Sequence, residues 1–293
     1  MCDGMGFNSA MTLISVIVPF YNAEKYIKDC IESLLSQEFP IDKYELIFVD
    51  NNSTDASADI VKHKPRIKYV SENRQSPYAA RNRGTKEASG EIIAFTDPDC
   101  IAFPDWLAEI ERALSEPEVL VVLGQNLMGN DSLLLSMIQD YENEKEVYTF
   151  GSSDGSIYSA HTNNMAVRRK LFEDLGLFVE IDRGADVIFV NRVVNKHSTR
   201  AVEYLEPMKV RHMEIERPFD YYKKNFIYGL SLNQCKQMAN FQSISFRQRL
   251  SIYKNVITKQ RYSYLKSTAL LILLFVGALF WQAGAVSARF RSL

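Results

Sequence analysis

The stretch Glu91-Ile92-Ile93-Ala94-Phe95-Thr96-Asp97-Pro98-Asp99-Cys100 runs a short apolar segment straight into two carboxylates with one residue between them. A chain leaving the end of a buried strand points outward at the edge of a sheet, where open α/β folds bind ligands. Two hard oxygen donors placed there can hold a divalent cation, and such a cation commonly bridges protein to phosphate. Pro98 fixes one φ and stiffens the pair. Two acids beside a turn are also an ordinary solvated turn, so the pattern gains its meaning from its neighbours along the chain.

Those neighbours form an ordered series. Val18-Pro19-Phe20-Tyr21-Asn22 ends a first apolar run, and Val49-Asp50-Asn51-Asn52-Ser53-Thr54-Asp55 ends a second. Ala80-Arg81-Asn82-Arg83-Gly84 follows, then the two carboxylates, then Arg183-Gly184-Ala185-Asp186. In content, order and spacing this series resembles the family 2 glycosyltransferases over about Leu13 to Gly229. The resemblance implies an α/β GT-A fold, with a mainly parallel central sheet flanked by helices. It also implies inverting, metal-dependent transfer of a sugar from a nucleoside-diphosphate sugar to an acceptor hydroxyl. A leaving diphosphate is stabilised by a metal and by dipoles fixed where its charge develops.

Residue by residue, the resemblance makes Asp99 a ligand of Mn2+ or Mg2+, with Asp97 near the ribose or the metal. His212 resembles the position that completes the metal shell, and a neutral imidazole suits manganese. Pro19, Tyr21 and Asn22 would line the nucleotide pocket, and Arg81 would approach the base or the diphosphate. Asn51 stands where many members carry Asp; its carbonyl can still accept from a uracil N3–H, so a UDP-sugar is favoured over a GDP-sugar. Asn163, Asn164 and Arg168 fall where the family contacts donor sugar or acceptor. Asp186 resembles the general base of a Glu-Asp motif in which Ala185 replaces the Glu; Asp182 is the second candidate. Three other readings compete. A phosphohydrolase would want Asp-x-Asp-x-Thr, but Ile101 holds the fifth place; a nucleotidyltransferase would want a glycine-rich basic loop after the first strand, and Pro19-Phe20-Tyr21-Asn22 has no glycine. A non-catalytic sugar-nucleotide-binding or scaffold module is favoured only by the missing Glu.

The elements that must hold these residues read as alternating strands and helices. Strands are expected at 13–18, 44–49, 67–70, 91–95, 119–123 and 201–205, the last leading to Val210-Arg211-His212. Helices are expected at 26–35, 55–61, 77–88, 103–114, 131–148, 168–175 and 185–195. Short connections between them mean βαβ units. The segment 149–161, rich in Ser, Gly and Asp, reads as a loop beside a site. The chain thus divides into a lead-in at 1–12, a nucleotide-sugar half at 13–124, an acceptor half at 125–218, linker helices at 219–266 and an apolar helix at 267–288.

Bulk properties narrow the setting. A chain of 293 residues with 46% hydrophobic content supports a sizeable core, and a net charge of −2 gives no field for nucleic acid. Cys2, Cys30, Cys100 and Cys235 are scattered, which reads as reduced thiols and not as a zinc site or a disulfide framework. Met1 to Thr12 carries no basic patch followed by an apolar run, so it does not read as a secretory signal. Ser267 to Ala288 holds no charged residue over 22 positions. As a helix it is roughly 30 Å long, about the hydrocarbon thickness of a bilayer. Arg247, Arg249, Lys254, Lys259, Arg261 and Lys266 precede it and Arg289 and Arg291 follow, so the expected arrangement is membrane-associated with the catalytic body in the cytoplasm. Such an anchor suits a lipid-linked or cell-surface glycan acceptor.

Overall fold

The computed structural model describes residues 13–151, 159–181, 183–238 and 244–291. Asp182 and most of the loop expected at 149–161 lie outside them. Strands β1 (Ile14–Phe20), β2 (Tyr44–Asp50), β3 (Ile67–Ser71), β4 (Ile92–Thr96), β5 (Cys100–Ala102), β6 (Val121–Met128), β7 (Asn164–Arg168) and β8 (Val202–His212) form one eight-stranded sheet in the order β3-β2-β1-β4-β7-β6-β8-β5. Helices α1 (Ile27–Leu35), α2 (Ser57–Lys62), α3 (Pro77–Glu87), α4 (Trp106–Ala113), α5 (Leu133–Phe150), α6 (Lys170–Leu175) and α7 (Ala185–Lys196) connect them. Three more follow: α8 (Pro218–Met238), α9 (Phe246–Lys259) and α10 (Tyr264–Arg291).

β1 is buried at all seven positions, as a strand covered on both faces must be. Its outer face joins α1 and α4 through Ile27, Leu34, Trp106 and Ile110; the other face packs Ile17 and Phe95 against Phe172, Phe178 and Phe189. Gly84 of α3 is where this second layer comes closest: a Cβ there would lie 2.5 Å from Ile17 Cγ2. Ser76 caps α3 by accepting from Ala79 N–H, and Pro77 opens its first turn.

β1 to β4 are parallel, as expected, but β7 runs antiparallel to both β4 and β6, and β5 antiparallel to β8. The helix expected from Arg168 therefore begins only at Lys170, and the residues before it are a central strand. Its five residues Asn-Met-Ala-Val-Arg are too few to show a period between two loops. β8 is one strand, not two pieces. Its pairing with β6 shifts between Gly124 and Gln125, where Leu205 is followed in register by Lys209. Pro207, which has no N–H to give a ladder, falls in that bulge.

Candidate active site

The carboxyl ends of β1, β4 and the bulged half of β8 meet at one edge. β5 is only three residues long, yet it decides the site. It pairs Cys100 with His212, and Met213 N–H donates to Asp99 O at 2.8 Å. His212 Nε2 is thereby set 2.9 Å from Asp99 Oδ2. Asp99, His212 and Cys100 bring potential ligand atoms within 4.8 Å of one another. Burial pushes the Cys100 thiol well up, with the Asp99 and Asp97 charges adding to it. Burial would raise the Asp99 carboxyl, but the His212 hydrogen bond and charge, with Lys224 nearby, outweigh it and hold the group below its ordinary value.

Asp97 takes a different partner. Arg81 Nη2 of α3 donates to Asp97 Oδ1, and the Arg81 side chain is only 6% exposed. The two carboxylates of the Asp-x-Asp pattern thus diverge, one toward Arg81 and one toward His212. Arg81 also lies over the Tyr78 ring, 5.3 Å from its centroid.

Asp186 sits in the first turn of α7, whose cap is Gly184 at φ 84°. Its Oδ1 accepts from Val187 N–H at 2.9 Å. Burial raises its carboxyl above the ordinary value; Val187 N–H, Arg81 and Tyr78 act the other way without cancelling it. Ala185, where the expected motif has Glu, is wholly buried beside Phe189, while Asp186 lines a cleft.

Arg81, Asp97, Asp186, His212 and Lys224 line one cleft of about 610 Å³. Three of the four buried side-chain polar atoms without a hydrogen-bond partner among the described residues, Arg81 Nε, Asn126 Oδ1 and Glu146 Oε2, belong to residues of this cleft. A second hollow of about 780 Å³, lined by Lys43, Glu111, Arg112 and Arg168, lies at the opposite ends of the strands. Ligands of open α/β sheets bind at the carboxyl ends, which favours the first.

Several expected site residues hold other positions. Asn164 is fully buried: its Oδ1 accepts from Trp106 Nε1 at 2.8 Å, and its Nδ2 donates to Gln125 O and Met208 O at 3.0 Å each. It clamps the β8 bulge and has no face to offer a donor. Arg168 pairs with Ile92 at the far end of β7 and donates to Val119 O and Leu114 O, away from the cleft. Asn163 does line the cleft. Asn51 is 3% exposed; its Nδ2 donates to Glu72 O and Arg74 O and its Oδ1 accepts from Ser76 N–H, so it fastens the loop before α3. Pro19 is buried in β1, while Tyr21 is 51% exposed and Asn22, at φ 47°, accepts from Thr54 N–H. These four stand at the ends of β1 and β2, outside the lining of the cleft.

Other groups entered the cleft unannounced. Tyr78, His161, Lys224, Tyr228 and Trp281 all line it. Lys224 and Tyr228 come from α8 and Trp281 from α10, a helix that carries no periodic polar signal. The sequence cue for them is faint: only an aromatic and lysine-rich composition between Phe219 and Tyr228.

Comparison with known proteins agrees with this architecture. The family model "Glycosyl transferase family 2" matches residues 15–176, more than half of the chain, and the chain belongs to that family. Glycosyltransferase AglE of Haloferax volcanii is 29% identical over 209 residues, covering 64% of this chain and 63% of its own length. This chain therefore spans somewhat under two thirds of that relative. Among solved structures, the mannosyltransferase PcManGT of Pyrobaculum calidifontis, in complex with GDP-Man and Mn2+, shares the fold with a TM-score of 0.69 at 20% identity, over 97% of this chain and 89% of that one. TarS 1-349 of S. aureus in complex with UDP does so with a TM-score of 0.55 at 21% identity, over 84% and 70%.

Proposed function

We propose that the chain is a membrane-associated, divalent-metal-dependent, inverting glycosyltransferase that uses a nucleoside-diphosphate sugar. The observation that carries the reading is the single cleft onto which Asp186, the Arg81–Asp97 pair and His212, with Asp99 behind it, converge. Asp99 and His212 would hold the metal, Mn2+ or Mg2+: the carboxylate suits either ion, and the imidazole nitrogen 2.9 Å away is a softer donor that favours Mn2+. Such an ion supplies charge to stabilise a leaving diphosphate. Asp186 takes the proton of the acceptor hydroxyl as its oxygen bonds to the sugar carbon, while the bond from that carbon to the diphosphate breaks on the opposite face. A carboxyl raised by burial is a better base for this than a free Asp at ~3.9. Arg81 fixes Asp97, which would then meet the donor's ribose or the metal. GDP-Man with Mn2+ in one similar structure, and UDP in another, support the donor class.

Membrane attachment rests on α10, whose Tyr264–Ala288 portion is long and apolar enough to cross a bilayer. One of its faces is docked on the body, with Leu270 wholly buried against Ile252 and Val256. Another, bearing Leu265, Ile272, Phe275, Leu279 and Val286, is 41–79% exposed. A lipid surface is the reading for that stripe, with the body on the cytoplasmic side and a lipid-linked or cell-surface glycan as acceptor. Calorimetric titration of UDP, GDP, CDP and dTDP, with and without Mn2+, tests the donor site. Metal-dependent binding of one nucleotide, lost in Asp99→Ala, is expected; binding of none by the parent chain would favour a scaffold.

A further inference from the structure

We infer that Lys224 is a resident cation of the donor site, shared between the metal position and the leaving diphosphate, so that nucleotide and metal bind cooperatively through it. The inference rests on the donor-site reading above. Lys224 lies outside the matched family segment, on a helix that the sequence marks only as a linker. Its Nζ stands 3.1 Å from His212 Nε2 and 3.3 Å from Nδ1, and 3.0 Å from Glu214 Oε2. The same His212 Nε2 lies 2.9 Å from Asp99 Oδ2. The ammonium is almost equally far from both ring nitrogens, so it stands against the ring as a whole, about 3 Å from the nitrogen a metal ion would take.

Asp99 and His212 holding a divalent ion would therefore bring a second positive charge close to the Lys224 ammonium, and the two would repel at short range. The Lys224 side chain is 24% exposed and lines the cleft. α8 itself is fixed: Tyr221 O–H donates to Glu142 Oε1, and a Cβ on Gly229 would lie 2.1 Å from Trp281 O of α10. The backbone cannot retreat, so the flexible stem turns its charge into the open cleft, where an anion between the two cations removes the repulsion. The anion that fits is the diphosphate, whose oxygens can reach metal and ammonium together. Glu214, on the outer side with 56% of its side chain exposed, holds the charge until then.

Metal and nucleotide affinities should then move in opposite directions when Lys224 loses its charge. The probes are Mn2+ alone, and UDP, GDP, CDP and dTDP with their monophosphates in the presence of Mn2+, read by calorimetry on the full chain. Lys224→Met is expected to bind Mn2+ alone more tightly. It should bind the preferred diphosphate about tenfold or more weakly, while the monophosphate changes less than about threefold. Lys223→Met, one residue away and exposed, should change neither. Should Lys224→Met not fold, Glu214→Gln tests the same idea with reversed signs: weaker Mn2+ alone, tighter diphosphate. Parallel shifts of metal and diphosphate, no shift, or equal effects of Lys223→Met and Lys224→Met would overturn the inference. If the parent chain binds no nucleoside diphosphate, the donor-site reading itself fails and takes this one with it.

Discussion

Asp186 answers to two opposed demands. Burial raises its carboxyl, so the folded state holds the proton more tightly than the unfolded chain. Stability therefore falls as pH rises from ~3.9 through the raised value, and at neutral pH the ionised group costs stability. The same ionised group is the one that can accept a proton. Two outcomes follow at this single position. Asp186→Asn should lose about 10²–10⁴-fold in transfer while keeping donor affinity and melting at a higher temperature than the parent. In the parent, kcat/KM should decline on the acid side through an apparent pKa above ~3.9, and that limb should vanish from the residual activity of the variant. A scaffold would show no transfer to lose, and a purely structural Asp186 would lower the melting temperature on substitution.

At the scale of elements, the β8 bulge is what aims His212. The shift between Gly124 and Gln125 brings His212 opposite Met128 of β6, while β5 pairs the same His212 with Cys100 beside Asp99. Asn164 holds the bulge from the neighbouring strand, and Gly124 makes room, since a Cβ there would sit 2.2 Å from Met208 O. Asn164→Ala strips Trp106 Nε1 and two carbonyls of their partner. A loss of at least about 2 kcal/mol is expected, because buried unpaired groups cost ~1–3 kcal/mol each. Urea denaturation reads that loss. In the fraction still folded, Mn2+-dependent nucleotide binding should weaken; unchanged binding would mean that His212 is placed by β5 alone. The sequence reads Asn164 as a donor contact, whereas its amide is spent on Trp106 and two carbonyls; an amide looks the same in sequence whether its partner is a sugar or a carbonyl, and only its burial tells them apart.

For the whole molecule, the C-terminal helices are part of the catalytic body and also its boundary. α9 docks on α5 through Lys259 and Asn255 to Glu144, and Tyr262 O–H, in the turn before α10, donates to Asp140. α10 meets α8 almost backbone to backbone at Gly284, where a Cβ would lie 2.0 Å from Phe226 O. The exposed stripe on α10 is separate from these contacts. Ile272→Glu with Phe275→Glu should therefore abolish flotation with anionic liposomes and leave the melting temperature within a few degrees of the parent, as surface changes usually do. Undiminished flotation would sink the membrane reading of that face.

The sequence by itself determined the β-strand and helix alternation, the burial of β1, the family, and the chemical types at 97, 99, 186 and 212. These are local signals: apolar runs, turn residues and motif order survive in one dimension. The tertiary structure alone decided which of them meet. Asp97 and Asp99 are two residues apart in the chain, yet one pairs with α3 and the other with β8. Asn51 and Asn164 carry the right groups but face inward, and Lys224 and Trp281 reach the cleft from helices whose pattern speaks only of surface or membrane. Side-chain direction in β7, β8 and α8 depends on strand order, on a bulge at Pro207 and on a glycine crossing, each fixed by packing between segments far apart in sequence.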